Sequence, residues 1–280
     1  MDGTPTLARS MSTEQAFVRI AAHCLGQMRA QEQGAAQGNI EALHQMRVGL
    51  RRLRAALSLF KPLLCAPPAL LAELDWLAQS LAPARDWDVL AWSTLAQVAR
   101  ATGDIAPAVR GAAFEHAAHA HAALTDVLAS ARYAALVKAL AAWLQDAGWR
   151  KGLPGTQLAH LDAGIVPFAR AALKRNARRL ARREACPEAL HRLRIAAKKS
   201  RYGLEFFATL FAGQKRARQQ TALAHLQDKL GQRNDIAVAQ GLLAELGAQD
   251  PALAVEAAYV RGFLASRAVS APGGRSPLQG

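Results

Sequence analysis

The chain is short of what sheets and covalent staples need. Aromatic residues are 6% of it and β-branched residues are scarce, while Ala, Leu, Arg and Gln are abundant. That balance argues against a strand-rich fold and for helices. The three cysteines, Cys24, Cys65 and Cys186, form no CxxC pair and are odd in number. They offer no disulfide framework and suit a reducing compartment. No run of about 18 apolar residues marks a membrane span, and the opening MDGTPTLARSMSTEQ lacks an apolar signal core. A cytoplasmic protein without a membrane partner is expected. Gly-rich phosphate loops, GxSxG and HExxH are also missing, so the common nucleotide, hydrolase and zinc-protease signatures do not apply.

Acids are missing in a more telling place. In "HQMRVGLRRLRAALSLF", residues 44–60, four Arg and one His occur with no Asp or Glu. The whole chain carries a net charge of +14 with a pI near 10.6. Such an excess predicts a polyanionic partner: nucleic acid, an anionic membrane surface or a phosphate polymer. The charge is localised. Residues 55–169 hold 8 Lys+Arg against 9 Asp+Glu, whereas residues 170–201 hold 12 against 2.

What is present is almost entirely helical pattern. Hydrophobic residues are 51% and charged residues 20% of the 280, enough for a sizeable core. Ser12 and Gln15 are placed to form a capping box opening a helix over about 13–33. Helices are expected over about 39–61, 69–82, 86–101, 106–129, 131–147, 165–185, 187–211, 215–230, 234–246 and 251–267. Pro62, Pro67 and Pro68 close the second of these. The Gly/Pro-rich stretch 148–164 reads as a linker between halves 12–147 and 165–267. Residues 1–11 and 268–280 read as disordered.

The basic segment recurs 147 positions later as "HRLRIAAKKSRYGLEFF", 191–207. His44 matches His191, Arg47 matches Arg194, and Arg51 and Arg52 match Lys198 and Lys199. Arg54 matches Arg201, and Phe60 matches Phe207. Downstream, "LAPARDWDV" at 81–89 pairs with "LGQRNDIAV" at 230–238, setting Asp86 against Asp235. Upstream, Phe17, Arg19 and His23 fall against Phe168, Arg170 and Lys174. Each half therefore reads as one helical-bundle unit used twice.

On a helical projection His44, Arg47, Arg51 and Arg54 share an arc of roughly 80°. Met46, Leu50, Leu53, Leu57 and Phe60 make the apolar stripe beside it. The second copy repeats this, with His191, Arg194, Lys198 and Arg201 against Leu193, Ala197, Leu204 and Phe207. A basic arc abutting the apolar stripe belongs at the margin of a core, as the wall of a groove. Like charges at these spacings repel by a few tenths of a kcal/mol per pair, which a bound anion relieves. From 44 to 54 the helix rises about 15 Å, long enough to follow several phosphates. Guanidinium groups make bidentate phosphate contacts, lysines add point charges, and the histidines gain charge as an anion arrives. Arg52 and Lys199 fall off the arc. Glu205 lies one turn after Arg201 and reads as its i,i+4 partner. In the helix before the second copy, Lys174 and Arg178 share one side and are expected to face the same groove.

Other candidates are weaker. Asp86, Asp88 and Asp235 read as groups that orient Arg or cap helices rather than as metal ligands, because phosphoryl transfer needs clustered carboxylates. His116 and His119 share a face but His121 does not, so zinc is not expected. Cys24 and Cys186 read as packing residues. The five Trp are not interleaved with the basic stripe, which weakens a reading based on base stacking.

The motif His44-x-x-Arg47-Val-x-x-Arg51-Arg52-Leu-Arg54, the later RDWDV and the second copy with LGQRNDIAV resemble the conserved histidine α-helical domain, or CHAD, family over about residues 12–267. The resemblance implies an all-α fold: two repeated helical bundles with pseudo-twofold symmetry around a basic central channel. It implies non-catalytic binding of inorganic polyphosphate and association with polyphosphate granules. The implied binding residues are His44, Arg47, Arg51, Arg52, Arg54, His191, Arg194, Lys198, Lys199 and Arg201, flanked by Arg19, His23, Arg170, Lys174 and Arg178. No catalytic residue, metal or cofactor is expected. Some members of the family carry a triphosphate-tunnel metalloenzyme domain marked by Glu-x-Glu-x-Lys, and that motif does not occur here. The departures are Lys198 and Lys199 for Arg, Asn234 in place of Arg85, and the intruding Glu205. A polyphosphate phosphohydrolase or phosphotransferase and a nucleic-acid binder are the alternative readings.

Overall fold

The computed structural model describes residues 5–181, 187–211 and 213–270. Among them there is no strand, only an isolated antiparallel bridge between Ser12 and Gly164. The helices are α1 (Thr13–Arg29), α2 (Glu32–Ala36), α3 (Ile40–Phe60), α4 (Pro68–Ser80), α5 (Ala82–Asp88), α6 (Leu95–Thr102), α7 (Pro107–Ala129), α8 (Ala131–Gln145), α9 (Gly155–Asp162), α10 (Ile165–Ala181), α11 (Pro187–Phe206), α12 (Gln214–Gln249) and α13 (Ala254–Ser270).

The local signals explain most starts and stops. The capping box opens α1: the Gln15 amide donates to Ser12 Oγ and the Ser12 amide to Gln15 Oε1. Asn39 Oδ1 accepts from the Ala42 amide at the start of α3. Gly103, at φ 77°, ends α6 in a conformation that only glycine adopts without strain. Between α5 and α6 the chain makes a π-helical turn, Val89–Thr94, where one continuous helix was expected from about residue 86.

Three other expectations are corrected. The segment 148–164 is not a plain linker, since it carries α9 and buries Trp149 and Leu161. Residues 5–11 are anchored rather than loose: Leu7 is buried, its amide donates to Thr209 Oγ1, and that hydroxyl donates to the Leu7 carbonyl. The two helices expected over 215–230 and 234–246 are one, α12, running through Gly231.

The chain forms two compact units. Among the described residues, the first takes those up to Glu32, Gln45–Ala78 and Ser130–Gln227; the second takes Gln33–His44, Gln79–Ala129 and those from Asp228 on. The sequence halves and these units therefore cut the chain differently. In the first unit the repeat-matched aromatics pack together: Phe60 stacks on Phe168 at 4.7 Å and meets Phe17 at 5.4 Å and Phe207 at 6.3 Å. Trp143 and Trp149 extend the cluster from Phe17. Gly49 of α3 lies against α1, where a Cβ would come within 2.9 Å of the Met28 backbone nitrogen. The second unit has an aliphatic core of Leu90, Leu95, Val109, Leu243, Leu246 and Val260, tightened by Ala113, Ala117 and Ala239.

Candidate functional site

The apolar stripe of the first motif helix is fully engaged. Met46, Leu50, Leu53, Leu57 and Phe60 are all buried, as are Ala197 and Leu204 on α11 and Phe207 just after it. This burial fixes which way the rest of each helix faces. His44, Arg47 and Arg51 are then half-buried along the edge of α3, neither core nor fully solvated. Arg54, at the end of that arc, is exposed and pairs with Asp75 of α4. It stands with Lys61 at a largely apolar pocket of about 290 Å³ floored by Leu57, Leu71 and Leu74.

Arg52 points elsewhere. Its Nη2 donates to Glu205 Oε2 at 2.8 Å and its Nη1 to Gln27 Oε1 at 3.3 Å. Glu205 also meets Arg201 Nε at 3.3 Å, the i,i+4 pair anticipated from the spacing. One carboxylate thus ties α3 to α11 and neutralises a cation from each copy of the motif. The Arg52 and Glu205 side chains are 15% and 21% exposed, so the pair is substantially desolvated. Buried Cys24 lies in its field. Burial pushes the Cys24 thiol up to about 12, with Glu205 adding to the rise and Arg52 opposing it. Cys24 is therefore a neutral packing residue.

On α11, Lys198, Lys199 and Arg201 are half-buried. The side chains of His191 and Arg194 lie outside the described residues, as does Cys186. The Lys199 ammonium is held below its ordinary range by burial, then by Arg179 and Lys61. On α10, Lys174 and Arg178 face solvent. The neighbouring pair Arg175 and Arg179, not singled out from the sequence, shares a small cavity with Lys199, Asn176 and Ser58. Burial and Arg179 both lower the Arg175 guanidinium. Asn176 is buried and its Nδ2 donates to the Lys199 carbonyl at 3.2 Å, locking α10 onto α11. Gly203 leaves room for that amide.

The flanking residues are spread more widely. Arg19 is exposed and donates to the Thr6 carbonyl at 3.0 Å. His23 is half-buried, and its Nε2 has no hydrogen-bond partner among the described residues. Arg170 is exposed, with its guanidinium 5.9 Å from the Phe211 ring.

In the second unit, Asp88 orients neither an Arg nor a helix end. It is buried against His121, Nε2 to Oδ1 2.9 Å, while His116 stacks on Trp87 at 4.5 Å. Among the described residues no group of three His, Cys, Asp or Glu is placed to hold a metal, and no single helix is long and apolar enough to cross a membrane.

A helical fold with a repeated basic motif defines the class, and comparison supplies the family. The CHAD domain family matches residues 19–244, and the chain belongs to it. It is similar to the crystal structure of the CHAD domain from the plant Ricinus communis. The identity is 33%, the TM-score 0.84, and the match covers 95% of this chain and 90% of that one. It also resembles in fold PptA from Streptomyces chartreusis, at 20% identity and a TM-score of 0.65, covering 92% of this chain and 94% of that one. No curated protein matches the sequence.

Proposed function

We propose that the chain binds inorganic polyphosphate, without acting on it, through the basic faces of α3 and α11. By this binding it associates with polyphosphate granules in the cytoplasm. The supporting observation is the complete burial of the α3 apolar stripe. It commits the adjoining arc to the edge of a core, where guanidinium groups are partly desolvated and phosphate contacts are stronger than on an open surface. The line of cations suits a linear polyanion better than a compact one. Two carboxylates beside the motifs are engaged by cations, Glu205 by Arg52 and Arg201 and Asp75 by Arg54. That favours binding over metal-assisted phosphoryl transfer, which draws on free carboxylates.

The test is a binding assay against long-chain polyphosphate, duplex DNA, RNA and tripolyphosphate, with and without Mg²⁺. Polyphosphate should bind with a steep salt dependence and survive competition from nucleic acid at equal phosphate concentration. The Arg47→Ala, Arg51→Ala, Arg54→Ala triple variant should bind at least tenfold more weakly with its helical circular dichroism intact. Displacement by DNA or RNA would make this a nucleic-acid binder. Mg²⁺-dependent release of phosphate from the polymer would make it an enzyme.

A further inference from the structure

The two copies of the motif each place one cation off the basic arc, Arg52 in the first and Lys199 in the second. Their surroundings differ by a carboxylate. Arg52 is neutralised by Glu205. In the register that sets Arg52 against Lys199 and Phe60 against Phe207, Glu205 falls against Ser58. Ser58 stands at the cavity that Lys199 lines. So at the position where one copy holds a carboxylate, the other holds a hydroxyl and an open space.

The space is ringed by Lys199 of α11, Arg175, Asn176 and Arg179 of α10, and Ala55, Ser58, Leu59 and Pro62 from α3 and its end. It measures about 40 Å³, against the roughly 10–15 Å³ that a single water requires. That is room for one tetrahedral group and too little for a stretch of polymer. No carboxylate lines it, and among the described residues none pairs with Arg175, Arg179 or Lys199. Three cations brought together without an anion repel one another, and Lys199 and Arg175 lose hydration as well. Burial and mutual repulsion hold both Lys199 and Arg175 below their ordinary ranges. The counterpart of Ser58 in the other copy is an acid, Glu205.

We infer that this cavity is a site for a single phosphate group, in which the bound oxyanion takes the place that the Glu205 carboxylate occupies in the other copy. Arg175 and Arg179 supply forked donors, Lys199 a point charge and Ser58 a hydroxyl. The group is either free orthophosphate or the terminal phosphate of a chain, and the two share this chemistry. The site lies about a third of a turn from the α11 basic arc. It does not depend on that arc binding polyphosphate.

Orthophosphate is the probe, titrated calorimetrically and by thermal shift. It should raise the Tm of the wild-type chain. The Arg175→Ala, Arg179→Ala variant should bind it at least tenfold more weakly. Ser58→Glu should abolish the response and raise the Tm measured without phosphate, because it restores the missing carboxylate. Arg47→Ala, Arg51→Ala should leave orthophosphate binding within twofold, whatever it does to polyphosphate. Unchanged binding in the Arg175/Arg179 variant, a wild-type response in Ser58→Glu, or loss of orthophosphate in the Arg47/Arg51 variant would each overturn the site. If linear tripolyphosphate displaces orthophosphate and cyclic trimetaphosphate does not, the pocket takes chain ends. If neither displaces it, the pocket takes the free anion. Displacement by the cyclic form would show that internal phosphates reach the cavity, and a single-group site would be wrong.

Discussion

α3 and α11 carry cations at matching positions and settle their charge in opposite ways. On α3 the off-arc cation, Arg52, is held by Glu205 and Gln27 inside the fold. On α11 the matching Lys199 stands among Arg175, Arg179 and Lys61 with no acid in its cavity. The carboxylate that completes the first copy belongs to the second, so neither copy is electrostatically whole alone. A repeated motif does not bring repeated electrostatics. One residue pair, Ser58 against Glu205, separates a neutral structural lock from an open cationic pocket.

The lock is the place where the comparison breaks hardest. Glu205→Gln leaves Arg52 desolvated without its counter-charge and weakens Arg201 as well. It should destabilise the fold by about 3 kcal/mol in denaturant unfolding, the lower end for a broken buried pair because both side chains keep some exposure. Adding Arg52→Met to Glu205→Leu should recover most of that loss, since replacing both partners removes the uncompensated charge. If Glu205→Gln costs less than 1 kcal/mol, the pair is an ordinary surface contact and the contrast with Lys199 loses its basis.

How far the sequence could anticipate this depends on the range of each interaction. The stripe Met46 to Phe60 is set by helical periodicity, and every member is buried. The capping box and the Arg201–Glu205 pair are local, within four residues, and both form. Arg52–Glu205 spans 153 residues; the helical projection could show only that Arg52 leaves the arc, not what meets it. The same holds on α10, where Lys174 and Arg178 share a side, and so do Arg175 and Arg179. Only packing decides that the latter pair faces Lys199. Gly231 lies between the two helices expected over 215–230 and 234–246, and an interior glycine costs about 1 kcal/mol. The buried Leu223, Ala239, Leu243 and Leu246 along α12 outweigh it. The repeat was legible as residues in register, yet its aromatics Phe17, Phe60, Phe168 and Phe207 meet in one cluster, which no within-half pattern encodes.

Lys199 offers the complementary test. Its ammonium is depressed in the folded chain by burial, Arg179 and Lys61, with Arg175 at the same cavity, and regains its ordinary value on unfolding. Between the two values the unfolded chain binds more protons, so stability from this group rises with pH through that window. Below it the folded state bears the full penalty. Lys199→Met removes both the penalty and the slope. In phosphate-free buffer the variant should show a higher Tm than wild type at pH 7, with the gap narrowing as pH rises toward the ordinary lysine range. A lower Tm at pH 7 would mean that Lys199 is compensated within the fold after all, and the asymmetry between the two copies would disappear.

The smallest effect should come from the exposed pair between α3 and α4. Arg54 and Asp75 are 44% and 54% exposed, and such pairs contribute about 0–1 kcal/mol. Asp75→Ala should therefore change the unfolding free energy by less than about 1 kcal/mol. Its larger consequence should be for binding. Asp75 competes with any anion for the Arg54 guanidinium, so removing it should tighten long-chain polyphosphate binding modestly and steepen its salt dependence by up to one phosphate contact. Weaker binding in Asp75→Ala would show that the carboxylate positions Arg54 for the polymer rather than competing with it. The Arg54–Asp75 pair would then be part of the binding face, unlike the off-arc Arg52–Glu205 pair, which holds the fold.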